Sequence, residues 1–325
     1  MKLSLLLPFS LASALLLSIG GMSMAQPSDY PNRPVNVIVA FPPGAPNDFI
    51  VRLIAEPFGK AMNQPLVTDN RAGAGGNLAA ELVSRAHADG YTVLATIDTV
   101  ATVNPHLYKK LSFRADVDLR PVIYLANTAQ TLVCNPAVPV KTVAEFIAYA
   151  KVRDLNYASG GQGTPGHLSA ELFIAATGVK MNHVPYKGPG PATQDVLGGQ
   201  VPCGFLATPV VMPFVKSGKL NALGVTSTKR MSSAPNVPTI AEAGVPGYEA
   251  SFGEMLLVPK DTPDVIVERL NETIGKILQL PDVRERMLAA DLEFAPNSSA
   301  QASARVTRER RKWSEIIVRL GLQLD

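Results

Sequence analysis

The sequence predicts an α/β fold in two lobes, each a parallel or mixed sheet flanked by helices. Three observations carry that expectation. Apolar runs such as Val37 to Phe41 and Tyr91 to Ile97 read as strands buried on both faces. Small-residue turns and helical patterns follow them, and this alternation implies a parallel sheet. The chain has 325 residues, enough for two cores. The proline-punctuated segment Asn135 to Pro139 marks a candidate crossing between them. The expected division is residues 26–128 and 225–325 in lobe 1, and 129–224 in lobe 2.

The N-terminus precedes the fold. Lys2, the mostly apolar run Leu3 to Leu17 and the small residues Ser23 and Ala25 read as a signal peptide, cleaved after Ala25. The run is short and broken by Pro8, so a membrane anchor is the weaker reading. No cysteine near the cleavage site suggests a lipid anchor, and no other stretch could span a bilayer. A soluble, exported, periplasmic chain is expected. The formal charge of +3 becomes about +2 without Lys2, too balanced to imply nucleic acid. With 46% hydrophobic and 18% charged residues, disorder is also excluded. Cys134 and Cys203 lie in apolar strand-like runs, and read as two buried free thiols in preference to a disulfide.

Val37 to Phe41 enters the turn Pro42 to Asp48, and a helix with Ile50, Leu53, Ile54 and Phe58 on one face follows. Asp48 suits a helix cap or a ligand contact, and Pro57 should kink or end the helix. The strand Leu66 to Asp69 leads through Asn70 to Gly76 into a helix with Leu78, Leu82, Val83 and Ala86 on one side. Val122 to Leu125 and Leu132 to Cys134 read as separate extended pieces. Thr142 with Glu145, and Thr239 with Glu242, form capping boxes. Leu220 to Ser227 is an extended run that could cross back. Thr262 should cap a helix with Pro263 at its first position and Ile266, Leu270, Ile274 and Ile277 on one face. The last helix buries Val306, Trp313, Ile317 and Leu320 behind an arginine-rich outer face.

The most informative stretch is Asn156 to Glu171. A short strand runs into a turn holding Gly160, Gly161, Gly163 and Gly166, with Ser159 and Thr164 at the helix start. A helix start offers unpaired amides and partial positive charge, which suits an anion. Gly161 to Gly166 also fits the dinucleotide pattern G-x-G-x-x-G, but no acid ends the next strand, and Pro165 removes an amide. A purely structural turn is the remaining alternative. Other chemistry is sparse. His87, His106, His167 and His183 show no metal spacing, and neither cysteine has a Cys-x-x-Cys partner. His167 suits a ligand contact or a capping role. Ser159 with His167 would make a nucleophile pair, giving a secreted serine hydrolase as the rival function, but no orienting acid is evident.

These stretches together resemble the Bug-type solute-binding proteins of tripartite tricarboxylate transporters. The likeness runs from Tyr30 to the C-terminus. It rests on Tyr30-Pro-Asn-Arg-Pro34, Pro43-Gly-x-x-x-Asp48, Asn70-Arg-x-Gly-Ala-Gly-Gly76, Asp89-Gly-Tyr-Thr92, Asn104-Pro-x-Leu-Tyr108, Tyr157-Ala-Ser-x-Gly-x-Gly163, His183-Val-Pro-Tyr-Lys-Gly188 and Pro246-Gly-Tyr-Glu249, in order. The resemblance implies a two-lobed periplasmic binding protein, a Venus flytrap of type II-like form. It implies a small carboxylate ligand, delivery to membrane permease subunits, a monomer, and neither catalysis, cofactor nor metal. The ligand carboxylate is expected between Pro43 to Asp48 and Ser159 to Thr164. The implied ligand-binding set is Gly44, Ala45, Asn47, Asp48, Thr99, Ser159, Gly160, Gly163, Thr164, His167, Thr208 and Glu254. Two departures bear on the ligand. Ala45 and Pro46 stand where the family has a second glycine, so the first loop offers fewer backbone donors. Glu254 follows a segment that usually holds tryptophan and glycine, and would repel a carboxylate but attract an ammonium or a hydroxyl donor.

Overall fold

A computed structural model describes residues 30–231 and 234–324. The expected signal peptide, residues 1–25, lies outside the described residues. In chain order, β1 (Val35–Val39), α1 (Pro46–Met62), β2 (Leu66–Asn70), α2 (Asn77–Ser84) and β3 (Thr92–Ile97) alternate as the pattern requires. Short helices α3 (Thr99–Thr102), α4 (Asn104–Leu107) and α5 (Ala115–Asp118) lead to β4 (Leu119–Cys134). Then come α6 (Val143–Lys151), β5 (Leu155–Ser159), α7 (Pro165–Thr177), β6 (Met181–Pro185), α8 (Pro189–Leu197), β7 (Cys203–Ala207), α9 (Thr208–Lys216) and β8 (Asn221–Val225). The chain closes with β9 (Ser251–Pro259), α10 (Asp264–Ile277), α11 (Pro281–Ala289) and α12 (Ser299–Leu320).

Several local expectations change. α1 continues past Pro57 and does not end there, because Ile50, Val51, Leu53, Ile54 and Phe58 are all buried and tertiary packing outweighs one lost hydrogen bond. α2 buries Ala79, Ala80 and Val83 and leaves Leu78 and Leu82 exposed, so small side chains form its sheet-facing side. Thr142 caps α6 by accepting from the Glu145 amide at 3.1 Å. The Thr239 and Glu242 pair closes reciprocally, but around a turn. Pro263 takes the cap position of α10, and the Thr262 hydroxyl instead donates to the Pro259 carbonyl at 2.8 Å.

The strand order is β2-β1-β3-β9-β4-β7-β5-β6, with β8 also on β4. β1, β2 and β3 are mutually parallel, as are β5, β6 and β7, whereas β4 runs antiparallel to β9, β7 and β8. β4 is one strand of 16 residues rather than two pieces, and it joins the two expected sheets. Leu119 to Ala129 pairs with β9, and Gln130 to Cys134 pairs with β7. At this waist the Gln130 amide donates to the Thr226 hydroxyl oxygen and the Thr226 amide donates to the Gln130 carbonyl, each at 2.9 Å. The Thr226 hydroxyl donates in turn to the Ala250 carbonyl at 2.8 Å. β4 thus exchanges β9 for β7 as its partner between Ala129 and Gln130, ahead of Asn135 to Pro139.

Apolar packing follows this division only in part, since one cluster joins Ile38, Leu94 and Trp313 to Phe146 and Phe173. Val37, Val39, Ile54 and Phe58 pack with Leu270 and Ile274, while Phe146, Phe173 and Phe205 pack around β5 and β7. Trp313 of α12 stacks on Phe252 of β9 at 5.2 Å between ring centroids. Cys134 and Cys203 form a disulfide, which corrects the expectation of free thiols. Antiparallel pairing of β4 with β7 sets the two residues directly opposite each other, a register that their spacing in sequence does not reveal.

Candidate functional site

Ligands of open α/β sheets gather where parallel strands end, and here the strand ends of both halves meet at one cavity of about 30 Å³. One wall is the turn from β1 into α1, with Phe41, Ala45, Pro46 and Asn47. The opposite wall is the turn from β5 into α7, with Gly160, Thr164, Pro165 and Gly166, joined by Pro189 and Ala207. Thr128 and Gln130 of β4, Ile97 of β3 and Glu254 of β9 complete it. The first helical amides beyond each proline, such as those of Asn47 and Gly166, belong to the first turn, which has no intrahelical acceptor. Two helix starts from opposite halves therefore present positive partial charge to one small space.

The glycine-rich turn is held from beneath. The Ser159 hydroxyl lies 2.6 Å from His183 Nε2 and accepts from the Gly161 amide at 3.1 Å. The Gly163 amide donates to His167 Nδ1 at 3.1 Å. The two imidazoles stack at 4.3 Å, and Tyr157 stacks on His183 while donating its hydroxyl to Glu171 at 2.9 Å. Burial pushes the His167 pKa down to about 4; burial and the neighbouring His167 push that of His183 down to about 3. The expected Ser159 and His167 pair is thus not formed. Ser159 pairs with His183, is fully buried, and does not line the cavity, so its hydroxyl braces the turn. The signal for His183 was its place on the strand next to β5, whose register pairs it with Tyr157.

Of the other expected residues, Ala45, Asn47, Gly160, Thr164 and Glu254 line the cavity. Thr164 stands at the helix cap position without capping; its hydroxyl donates to the Gly161 carbonyl at 2.7 Å. Gly44 and Asp48 face a separate outer groove with Arg52 and Arg286. Asp48 accepts from the Gly44 amide, from Arg52 and from Asn70. Burial alone would raise its pKa, but these partners hold it below the ordinary carboxylate range. Thr208 is buried, donating to the Ala129 carbonyl at 2.9 Å beside Thr131. Thr99 is buried on α3 and is not among the residues lining the cavity. Thr128 and Gln130 went unread in the sequence, although two polar residues in an apolar strand mark a floor that needs polar atoms.

Glu254 is 1% exposed, and neither carboxylate oxygen has a partner among the described residues. Burial, then the charge of Asp98, push its pKa well above the usual range. Asp98, also buried, is itself pushed up to about 7, chiefly by burial. Across the mouth of the cleft, the loop after α4 meets the glycine turn, where Leu107 and Tyr108 lie against Gly163, and Pro42 lies against Gly188. Among the described residues no cluster of His, Cys, Asp or Glu is arranged to hold a metal ion.

The chain matches the family described as the tripartite tricarboxylate transporter family receptor over residues 50–322. It is 34% identical to protein BugT of Bordetella pertussis over 298 residues, 91% of each chain. Among solved structures it resembles Rpa4515 of R. palustris with adipate, at 34% identity and a TM-score of 0.87, covering 91% of this chain and 99% of the other. It also resembles MatC from Rhodopseudomonas palustris with bound malate, at 31% identity and a TM-score of 0.84, covering 89% and 100%.

Proposed function

The chain belongs to the tripartite tricarboxylate transporter family of receptors, and on that premise we propose that it captures a small carboxylate outside the cytoplasm and delivers it to permease subunits in the membrane. The observation that carries this reading is the convergence of two helix starts, one from each half, on a single buried cavity. Backbone amides there suit a carboxylate without any basic side chain. The ligand set is Ala45, Asn47, Gly160, Thr164 and Glu254, with Thr128 and Gln130 beneath. Gly44, Asp48, Ser159, Gly163, His167 and Thr208 shape the turns and the waist that present it. The relatives solved with adipate and malate support the carboxylate class.

A cavity of about 30 Å³ holds about two waters, so a four- to six-carbon acid requires the halves to part and close around it. The waist at Gln130 and Thr226 is the proposed hinge, with residues 26–128 and 225–325 moving against 129–224. Charge-assisted hydrogen bonds contribute about 1.5–3 kcal/mol each. A few of them, less the cost of ordering and closure, reach a micromolar dissociation constant, about −8.2 kcal/mol. The leader read at residues 1–25 fits export to the periplasm. A thermal-shift and calorimetric screen of the mature protein against small carboxylates tests the reading. Micromolar binding of at least one is expected, and binding of sugars or metal ions with no carboxylate hit would overturn it.

A further inference from the structure

Among the described residues, Glu254 is the only ionisable side chain lining the cavity. Its position is built and not incidental. β9 pairs Glu254 with Ala126 and Phe252 with Thr128, so Thr128 and Glu254 stand two residues apart in register on the same side of the ladder. The Thr128 hydroxyl, like both Glu254 oxygens, is buried without a partner. Both residues line the cavity, whose other end is lined by helix-start residues, and their three side-chain oxygens are buried and unsatisfied.

We propose that Glu254 makes this cleft selective for amino-carboxylates, ligands whose carboxylate lies at the two helix starts and whose ammonium is held by Glu254 and Thr128. The inference rests on the carboxylate reading and narrows it. An ammonium group brings three donors and no acceptor, matching the three oxygens. A second carboxylate brings only acceptors, and no lysine, arginine or histidine lines the cavity to offset the like charge. Asp98 lies behind Glu254 with one oxygen unpartnered, and around Asp98 stand Tyr124, Arg305 and Glu309. A buried carboxylate without a partner is costly, so the ligand-free group holds its proton, and an arriving ammonium draws it to the ionised form with release of that proton. Affinity for an amino-carboxylate then weakens as pH falls. Ionisation of Asp98 acts with the same sign. A neutral Glu254 donating to a second carboxylate gives the opposite sign, weakening as pH rises.

The test is calorimetry on the mature protein with pairs that differ only by the amine: β-alanine and propionate, γ-aminobutyrate and butyrate, glutamate and glutarate. Titrations are run near pH 8 and near pH 5.5, on wild type and Glu254→Gln. In at least one pair the amine-bearing member should bind at least about tenfold tighter near neutral pH. That advantage should shrink in acid and fall below about threefold in Glu254→Gln, while the amine-free partner gains. Amine-free acids binding as well as or better than their partners would overturn the inference and leave the carboxylate reading standing. An amine preference that survives Glu254→Gln would also overturn it. Absence of binding by all six acids and by adipate and malate would remove both readings together. Should the variant fail to fold, the wild-type pH series decides, because amino-carboxylate affinity that rises toward acid contradicts an ionised Glu254.

Discussion

The hydroxyl of Tyr108 donates to the carbonyl oxygen of Gln162 at 3.2 Å, tying the loop after α4 to the glycine-rich turn across the mouth of the cleft. A partly exposed neutral hydrogen bond contributes about 0.5–1.5 kcal/mol. Tyr108→Phe should therefore weaken ligand binding by about two- to tenfold. With the contact made in the closed form of the proposed hinge motion, the loss should appear as faster dissociation. Stopped-flow measurements check this; a slower association with unchanged dissociation would place the contact outside the closing step.

Gly163 takes φ of +71°, and a Cβ there would lie 2.9 Å from Leu107 Cδ2 and 3.3 Å from the Tyr108 ring. Gly163→Val meets both obstacles. The left-handed conformation costs about 1–2 kcal/mol for a residue with a side chain, so the melting temperature should fall. The added carbons also wedge the halves apart at the mouth. Small-angle scattering of the variant at saturating ligand should give a larger radius of gyration than ligand-bound wild type. Equal values would show that the turn yields without hindering closure.

His167 and His183 have pKa values pushed down to about 4 and about 3, against about 6.5 unfolded. Both are neutral in the fold, so the unfolded chain binds more protons as pH falls below about 6.5. Their contribution to stability is present above that pH and is lost as pH falls toward about 4. His183→Gln keeps a polar partner for Ser159 and removes the titration. Its melting temperature should fall less steeply than wild type between neutral pH and pH near 4. Parallel curves would show that the histidines do not govern acid unfolding.

The Cys134 to Cys203 bridge closes a sequence separation of 69 residues. The chain-entropy relation gives about 4 kcal/mol for a loop of that length. Replacing both cysteines by alanine should lower the melting temperature by several degrees while leaving ligand affinity close to wild type, because the bridge lies in β4 and β7 away from the cavity. A large loss of affinity in folded double variant would mean that the bridge holds the cleft in shape.

How far the chain is legible from sequence depends on whether a feature is local. The β1–α1 and β5–α7 units, with their glycine and proline turns, were readable because strand period, turn residues and helix start lie within about twenty residues of one another. Gly160 and Thr164 were singled out from that pattern, whereas Ala45 and Asn47 came only with the family resemblance. What depends on pairing between distant segments was hidden. The register of β4 against β7 decides the disulfide, and that of β5 against β6 decides that Ser159 meets His183 instead of His167. The continuity of β4 was obscured because Asn127, Thr128 and Gln130 interrupt its apolar run, and Thr128 and Gln130 line the cavity. Glu254 was visible as an acid near the cleft, but its lack of partners is a tertiary fact.

The chain contains one tryptophan, Trp313, and its ring lies on Phe252, one rung in from the end of the β4–β9 ladder where Ser251 faces Ala129. An indole at that place is a built-in optical gauge. Its emission comes from a single, fully buried site beside the proposed hinge. The quenching and wavelength of that emission therefore follow the hinge without any label, and a ligand titration can be read in ordinary ultraviolet fluorescence.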